Sequence, residues 1–336
     1  MNRILKIRSS TGLCASPHGF TYVELMITLA IAALIIAGLS GVVGQALQSQ
    51  DAVSETNRLT RDARFAMRRM VDSVSRSRKL LLPQRDKPAT NWPENIREQT
   101  VPPSAPIGDS TLASAVLAVT LPADFDLDGN GIADADNDGD GLFDEDLPAD
   151  ITNDNAPGIY LIDDPGDGTV DKFSACCSQD DDEDFGITNE DPINGIDDDG
   201  DGLTDDDPGG DVNADACPGI CGIDDDRDGT IDEGSALDDD EDGVNDEDWL
   251  DPVVFYLSGS TLKQRQPVPW DSDGDGDVDG RDFIESVIAD NVTRFRVERL
   301  DNGSVVEVID LTLELTSPVT GETVSLQSQV RVGGGL

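Results

Sequence analysis

Oxygen-bearing side chains recur in this chain at a fixed alternate spacing. In residues 271–282, Asp271, Asp273, Asp275, Asp279 and Asp282 stand at positions 1, 3, 5, 9 and 12 of a twelve-residue stretch. Gly276 stands at position 6, and Asp277 at position 7 offers its backbone carbonyl. Alternate side chains on a tight turn converge on one point, and glycine at position 6 permits the bend. Ca²⁺ needs about six to eight hard oxygen ligands at about 2.3–2.6 Å, which is what such a turn supplies. Aspartate rather than glutamate at position 12 is expected to make the last ligand shorter and often monodentate. A short helix is expected directly after the loop, over 283–289.

A related pattern, D-x-[DN]-x-[DN]-G-x-x-D-x-[DE], recurs upstream. It is met by Asp126, Asp128, Asn130, Asp134 and Asp136, and again by Asp136, Asp138, Asp140, Asp144 and Asp146. Asp197, Asp199, Asp201, Asp205 and Asp207 repeat it, as do Asp238, Asp240, Asp242, Asp246 and Asp248. Asp224, Asp226, Asp228 and Asp232 match except at the last position, and Asp163, Pro165, Asp167 and Asp171 form a degenerate copy. These copies lack an acid at position 12, so the last carboxylate must come from position 9, position 11 or a neighbour. Asp136 is shared by two copies, which implies adjacent ions. The loop at 271–282 resembles a dockerin-type half EF-hand, and the upstream copies resemble thrombospondin type 3 and other bacterial calcium repeats. Both resemblances imply several bound Ca²⁺.

The charge agrees with that reading. The chain has 336 residues, 70 acidic and 23 basic, for a net −47. Residues 124–251 hold 47 acids and two bases, Lys172 and Arg227, and so carry −45 of it. Such a surface repels phosphate backbones, so no nucleic-acid partner is expected. It also repels itself and has few large apolar residues to bury. On the calcium reading, metal binding has to contribute the missing folding free energy; the alternative on composition alone is a disordered acidic linker.

The elements that must carry this segment begin at the N-terminus. Residues 1–19 contain Arg3, Lys6 and Arg8 and no acid, while 20–47 contain one charge, Glu24. That apolar run of roughly 40 Å spans a bilayer at about 1.5 Å per residue. Bases on one side only leave the N-terminus cytoplasmic and the bulk of the chain exported. The polar break at Ser16-Pro17-His18-Gly19 lies before the apolar run, unlike an ordinary secretory signal. Gly19-Phe20-Thr21-Tyr22-Val23-Glu24 followed by an unbroken apolar helix resembles the class III signal of type IV pilins and type II secretion pseudopilins. The resemblance implies cleavage between Gly19 and Phe20 by a prepilin peptidase and N-methylation of Phe20. It also implies that Glu24 sets register among neighbouring pilin or pseudopilin subunits. It places the chain first in the inner membrane as a single-pass protein, then in a periplasmic or cell-surface filament.

No Pro or Gly interrupts 48–82, and Val53, Leu59, Ala63, Ala66, Met67, Met70, Val71 and Val74 roughly follow the i, i+3, i+4, i+7 rule. One helix is therefore expected over 20–82, amphipathic in its outer part and ended by Pro83. Residues 83–110, with six prolines, read as a connecting loop. Strands are expected at 111–121, in a hairpin over 252–266 turning at Ser258-Gly259-Ser260, and at 291–299, 304–316 and 323–332. Asn302-Gly303 and Thr320-Gly321 mark turns. The expected fold is α+β: a long N-terminal helix on an antiparallel sheet built from 111–121 and 252–336, with a loop-rich calcium-binding insert at 122–251. The order Phe255-Tyr256-Leu257, Leu262, Arg265, a short helix and a strand at 292–297 resembles the J-type minor pseudopilins. The acidic insert departs from that family.

Cys14 lies in the leader. Cys176, Cys177, Cys217 and Cys221 remain, an even number in an exported domain, which reads as two disulfides. Adjacent cysteines rarely pair, so Cys176 and Cys177 are each expected to bridge to Cys217 or Cys221, in either order. A four-thiolate zinc site is the rival. His18 is the only histidine and falls in the leader, so a Ser-His-Asp triad or His-ligated zinc enzyme is excluded from the processed chain. The carboxylates sit on polar turns rather than in apolar pockets that raise a pKa, so no enzymatic role is expected. The alternative to a structural subunit is a calcium-dependent adhesin displayed on a pilin stem.

Overall fold

The computed structural model of the chain describes residues 21–87, 93–101, 115–171, 178–183, 191–198, 200, 202–205, 207–225, 228–300 and 307–334. Two compact units divide it, Met1–Ser54 and Glu55–Leu336. Helix α1 covers Tyr22–Arg76. It starts with a capping box: the Glu24 N–H donates to Thr21 Oγ1 at 3.3 Å, and the Thr21 N–H donates to Glu24 Oε2 at 2.9 Å. In the first unit its apolar side chains, Leu29, Leu34 and Ile36 among them, are exposed. By length and composition this helix can cross a membrane.

In the second unit the helix buries one face. Leu59, Ala63, Ala66, Met67, Met70 and Val74 follow helical spacing and enter the core with Phe255, Phe295 and Leu313. Among the described residues, nine strands accompany the helix: β1 (Leu80–Leu82), β2 (Ile96–Thr100), β3 (Val116–Thr120), β4 (Pro252–Ser258), β5 (Thr261–Pro267), β6 (Phe283–Ala289), β7 (Val292–Arg299), β8 (Val308–Thr316) and β9 (Thr323–Arg331). They form a sheet in the order β1-β3-β4-β5-β6 and a second in the order β2-β7-β8-β9, with every pairing antiparallel. The architecture is α+β. The hairpin β4–β5 lies where the sequence places it.

The strands divide into two sheets where one is expected, Val53 is exposed rather than on the buried helix face, and three elements differ. The helix stops at Arg76 rather than 82, because Leu80 and Leu82 pair with Val119 and Ala118 of β3. The Thr120 hydroxyl accepts the Arg78 and Lys79 N–H groups, so the chain leaves the helix with its donors satisfied. The connecting loop contains β2, whose Ile96–Thr100 pairs with Glu298 to Arg294 of β7. Residues 283–289 form a strand rather than a short helix. Ile284, Val287 and Ile288 are β-branched, and the run satisfies the otherwise bare edge of β5, from Pro267↔Phe283 to Leu262↔Ala289. Residues 111–114 and the Asn302-Gly303 turn lie outside the described residues.

The segment 122–251 leaves from the end of β3 and returns at the start of β4, whose Thr120 and Pro252 are register partners. Its described residues include no helix or strand. Ile159 and Ile162 cover the second face of the first sheet, against Val116, Ala118 and Val254. That is why β3 is buried along its whole length. Arg97 of β2 is fully buried, and its guanidinium donates to the carbonyls of Asp163 and Asp164.

Candidate metal centres

The loops are shaped by carboxylates that accept backbone N–H groups. Asp126 accepts from Gly129 at 2.6 Å and Gly131 at 3.0 Å, and Asp271 from Gly274 at 2.5 Å and Gly276 at 3.1 Å. Position 6 is left-handed: φ is +92° at Gly131 and +109° at Gly276, a conformation glycine adopts without steric cost. Side chains at positions 3 and 5 accept the N–H two residues on, as in Asp138 to Asp140 and Asp140 to Leu142. Position 9 is left-handed too, at Asp144, Asp205, Asp232 and Asp246.

This geometry gathers oxygens. Ligand atoms of Asp126, Asp128 and Asp134 lie within 4.8 Å of one another, as do those of Asp136, Asp138 and Asp140. Two oxygens on one Ca²⁺ at about 2.4 Å are at most about 4.8 Å apart, so the spacing fits. Asp134 is buried, and its Oδ1 has no hydrogen-bond partner. Asp144, Asp224, Asp238 and Asp246 each keep a buried oxygen in the same condition. A buried carboxylate oxygen without a donor is costly, and a cation satisfies it. Burial, then the Asp248 charge, pushes the Asp144 carboxyl up to about 7. Burial, with lesser help from nearby acids, pushes Asp240 and Asp246 up to about 6. Glu145 and Glu247 are also raised, by burial first and then by Asp248 and Asp146 respectively. These groups resist ionising together unless positive charge is supplied.

The loop at 271–282 behaves differently. Both oxygens of Asp282 are taken by backbone N–H groups, from Ser272 and Asp273 on one and Asp279 on the other. Arg281 reaches Asp275 at 2.8 Å and Asp279 at 2.6 Å. A cation there has to displace or share the guanidinium. Asp273 and Asp277 are exposed.

Two further copies lack glycine at position 6 and are not visible to the motif. The Asn155 N–H donates to Asp150 Oδ2 at 2.8 Å, and the Ala216 N–H to Asp211 Oδ2 at 3.0 Å. Asp154 and Asp215 then accept from Tyr160 at 2.7 Å and Cys221 at 3.0 Å. The equivalent residues are 61 apart, and the same interval relates the loops at 136 and 197 and those at 163 and 224. Leu161 N–H to Asp171 and Gly222 N–H to Asp232 repeat it again. The insert thus contains a duplicated unit, legible in sequence only by comparing the segment with itself at that shift.

Cys217 pairs with Cys221, with Cα atoms 5.2 Å apart. This corrects the expected bridges from these two to Cys176 and Cys177: the turn built on Asp215, which accepts the N–H of both Cys217 and Cys221, brings them together. Their sulfurs are then not thiolate ligands for zinc. Cys176, Cys177, Gly19, Phe20, Asp199, Asp201 and Asp226 lie outside the described residues. Comparison with protein-family models, with curated proteins and with solved structures returns no match.

Proposed function

We propose that this chain is a structural subunit of the type IV pilin or type II secretion pseudopilin class, low in copy number, with a head stabilised by Ca²⁺. It is inserted in the inner membrane with its N-terminus cytoplasmic, cut after Gly19 by a prepilin peptidase, and assembled with other pilin-type subunits through its apolar helix. The observation that carries the reading is Gly19-Phe20-Thr21-Tyr22-Val23-Glu24 running into an exposed, unbroken apolar helix. The later turns of α1, buried on antiparallel strands, support it. Like-charged heads repel in a dense array, which suits a tip or sparse position better than a repeating one.

The capping box sharpens the role of Glu24. A glutamine at the same position keeps the reciprocal bonds with Thr21 and removes the charge. If the charge sets subunit register, Glu24→Gln and Glu24→Ala both fail to enter filaments while their heads fold. Incorporation of Glu24→Gln at wild-type levels reduces Glu24 to a helix cap and overturns that role. Mass analysis of the exported protein is expected to give an N-terminal methylated Phe20, and a Met1 terminus overturns the assignment.

A second reading is a calcium-dependent binding module on a pilin stem. The exposed aliphatic residues Ile132, Leu142 and Val244 within the loops, and Ile196 just before one, favour it. Loss of surface attachment with filaments intact, after polar substitution of these residues, supports this reading over a purely structural one.

A further inference from the structure

The loops at 136–146 and 238–248 stand about a hundred residues apart in sequence and bond to each other reciprocally. Asp248 accepts the N–H groups of Asn137 at 2.9 Å and Asp144 at 2.5 Å. Asp146 accepts those of Asp239 at 3.1 Å and Asp246 at 2.9 Å, the same two positions in the other loop. The carboxylates follow the same exchange. Asp138 has its ligand atom within 4.8 Å of those of Asp242 and Glu247, and Asp240 has the same relation to Asp140 and Glu145. Each triad therefore takes position 3 from one loop and positions 5 and 10 from the other.

Buried oxygens without donors point to what lies between the loops. Asp238 is fully buried; one oxygen accepts the Gly243 N–H at 3.1 Å, and Oδ1 has no hydrogen-bond partner. Asp146 and Asp242 both act on it electrostatically. Glu145 Oε2 and Glu247 Oε2, at the equivalent position of each loop, are likewise buried without a partner. Arg78 donates to the Phe143 carbonyl at 2.8 Å and lies 4.0 Å from Asp144, and its single positive charge cannot balance six converging carboxylates.

We propose that these two loops close face to face on two Ca²⁺ ions, one held by Asp138, Asp242 and Glu247, the other by Asp240, Asp140 and Glu145. This rests on the calcium reading above and gives it a location and a task. The paired loops lie at the two ends of the insert, beside the exit from β3 and the return to β4, so the ions staple its base. Asn137 carries the link onward, accepting the Trp249 N–H at 3.1 Å and donating to Asp251 at 3.2 Å. The other end-to-start contact of the duplicated unit has the same form. Asp191 accepts the Asp198 N–H at 2.9 Å and donates its own N–H to the Asp207 carbonyl at 3.1 Å.

The test is to count Ca²⁺ per full-length chain in detergent by native mass spectrometry. Asp138→Asn combined with Glu247→Gln is expected to lose one ion, as either change alone does, because both serve one site. Asp138→Asn combined with Glu145→Gln is expected to lose two. The reverse result shows that each loop fills its own site and overturns the proposal. Unchanged counts in both double variants overturn it while leaving calcium binding by other loops intact, whereas a calcium-free wild type removes the underlying reading as well. Should a variant fail to fold, anomalous diffraction from Tb³⁺ in wild-type crystals decides. Two peaks here, each contacted by both loops, support the proposal; peaks within single loops, or none, overturn it.

Discussion

The sheet and the acidic insert belong to one compact unit yet solve the folding problem by different means. The two sheets bury Phe255, Phe295 and Leu313 against a helix face, and their backbone groups satisfy one another across strands. The insert has small apolar clusters, such as Leu147, Ile151 and Leu250, and turns its side-chain carboxylates inward on its own backbone. Apolar burial needs no ligand. Inward carboxylates satisfy the backbone N–H groups, but those neutral donors leave the gathered negative charge uncompensated. On the proposed calcium reading, stability of one region is intrinsic and that of the other is linked to cation concentration.

Chelation should separate the two most strongly. Calorimetry in excess EDTA is expected to lower or abolish one transition while another persists. Each site saturated at a hundred times its Kd adds about 2.7 kcal/mol, so several sites together exceed any single substitution. One transition, indifferent to EDTA, would erase the distinction. Phe255→Ala should act in the opposite compartment, costing about 3–5 kcal/mol in urea unfolding to the same extent with and without calcium. A cost that disappears on chelation would mean the sheet depends on the insert's ions.

Gly243→Ala should be milder. Position 6 has φ +93° with open space around the added methyl, so only the backbone penalty of about 1–2 kcal/mol applies. It is expected in the calcium-loaded transition and absent from the EDTA-resistant one. The smallest effect concerns the sheet edge. The Lys263 ammonium, at 2.5 Å, and then the Tyr256 hydroxyl hold the Glu285 carboxyl below its ordinary value. A depressed folded-state pKa gives stability that is present above the unfolded value of 4.5 and lost as pH falls through the folded one. The pair is partly exposed and screened, so Glu285→Gln should remove less than about 1 kcal/mol at pH 7 and nothing at pH 2.

Local patterns were readable where one residue type is obligatory. The helical face from Leu59 to Val74, the hairpin at Ser258-Gly259-Ser260, and every loop with glycine at position 6 follow from spacing alone. Asn155 and Ala216 hide two loops because they adopt the left-handed conformation without being glycine. Leu80 and Leu82 extend a helical run in sequence, but β3 offers them a ladder, and the run at 283–289 meets the open edge of β5. Competition of that kind is decided by partners far along the chain. The reciprocal loop pairing belongs to the same class, although the shared Asp-Glu-Asp at 144–146 and 246–248 was a visible trace of it.

Because Thr120 and Pro252 already face each other across neighbouring strands, the whole excursion between them is topologically a side loop. Its length is free to change by whole duplicated units without disturbing the register of the sheet beneath. Growth by duplication would then lengthen the insert while leaving the packing of α1 on the strands untouched. A shortened version would have to re-cover the apolar patch that Ile159 and Ile162 now shield.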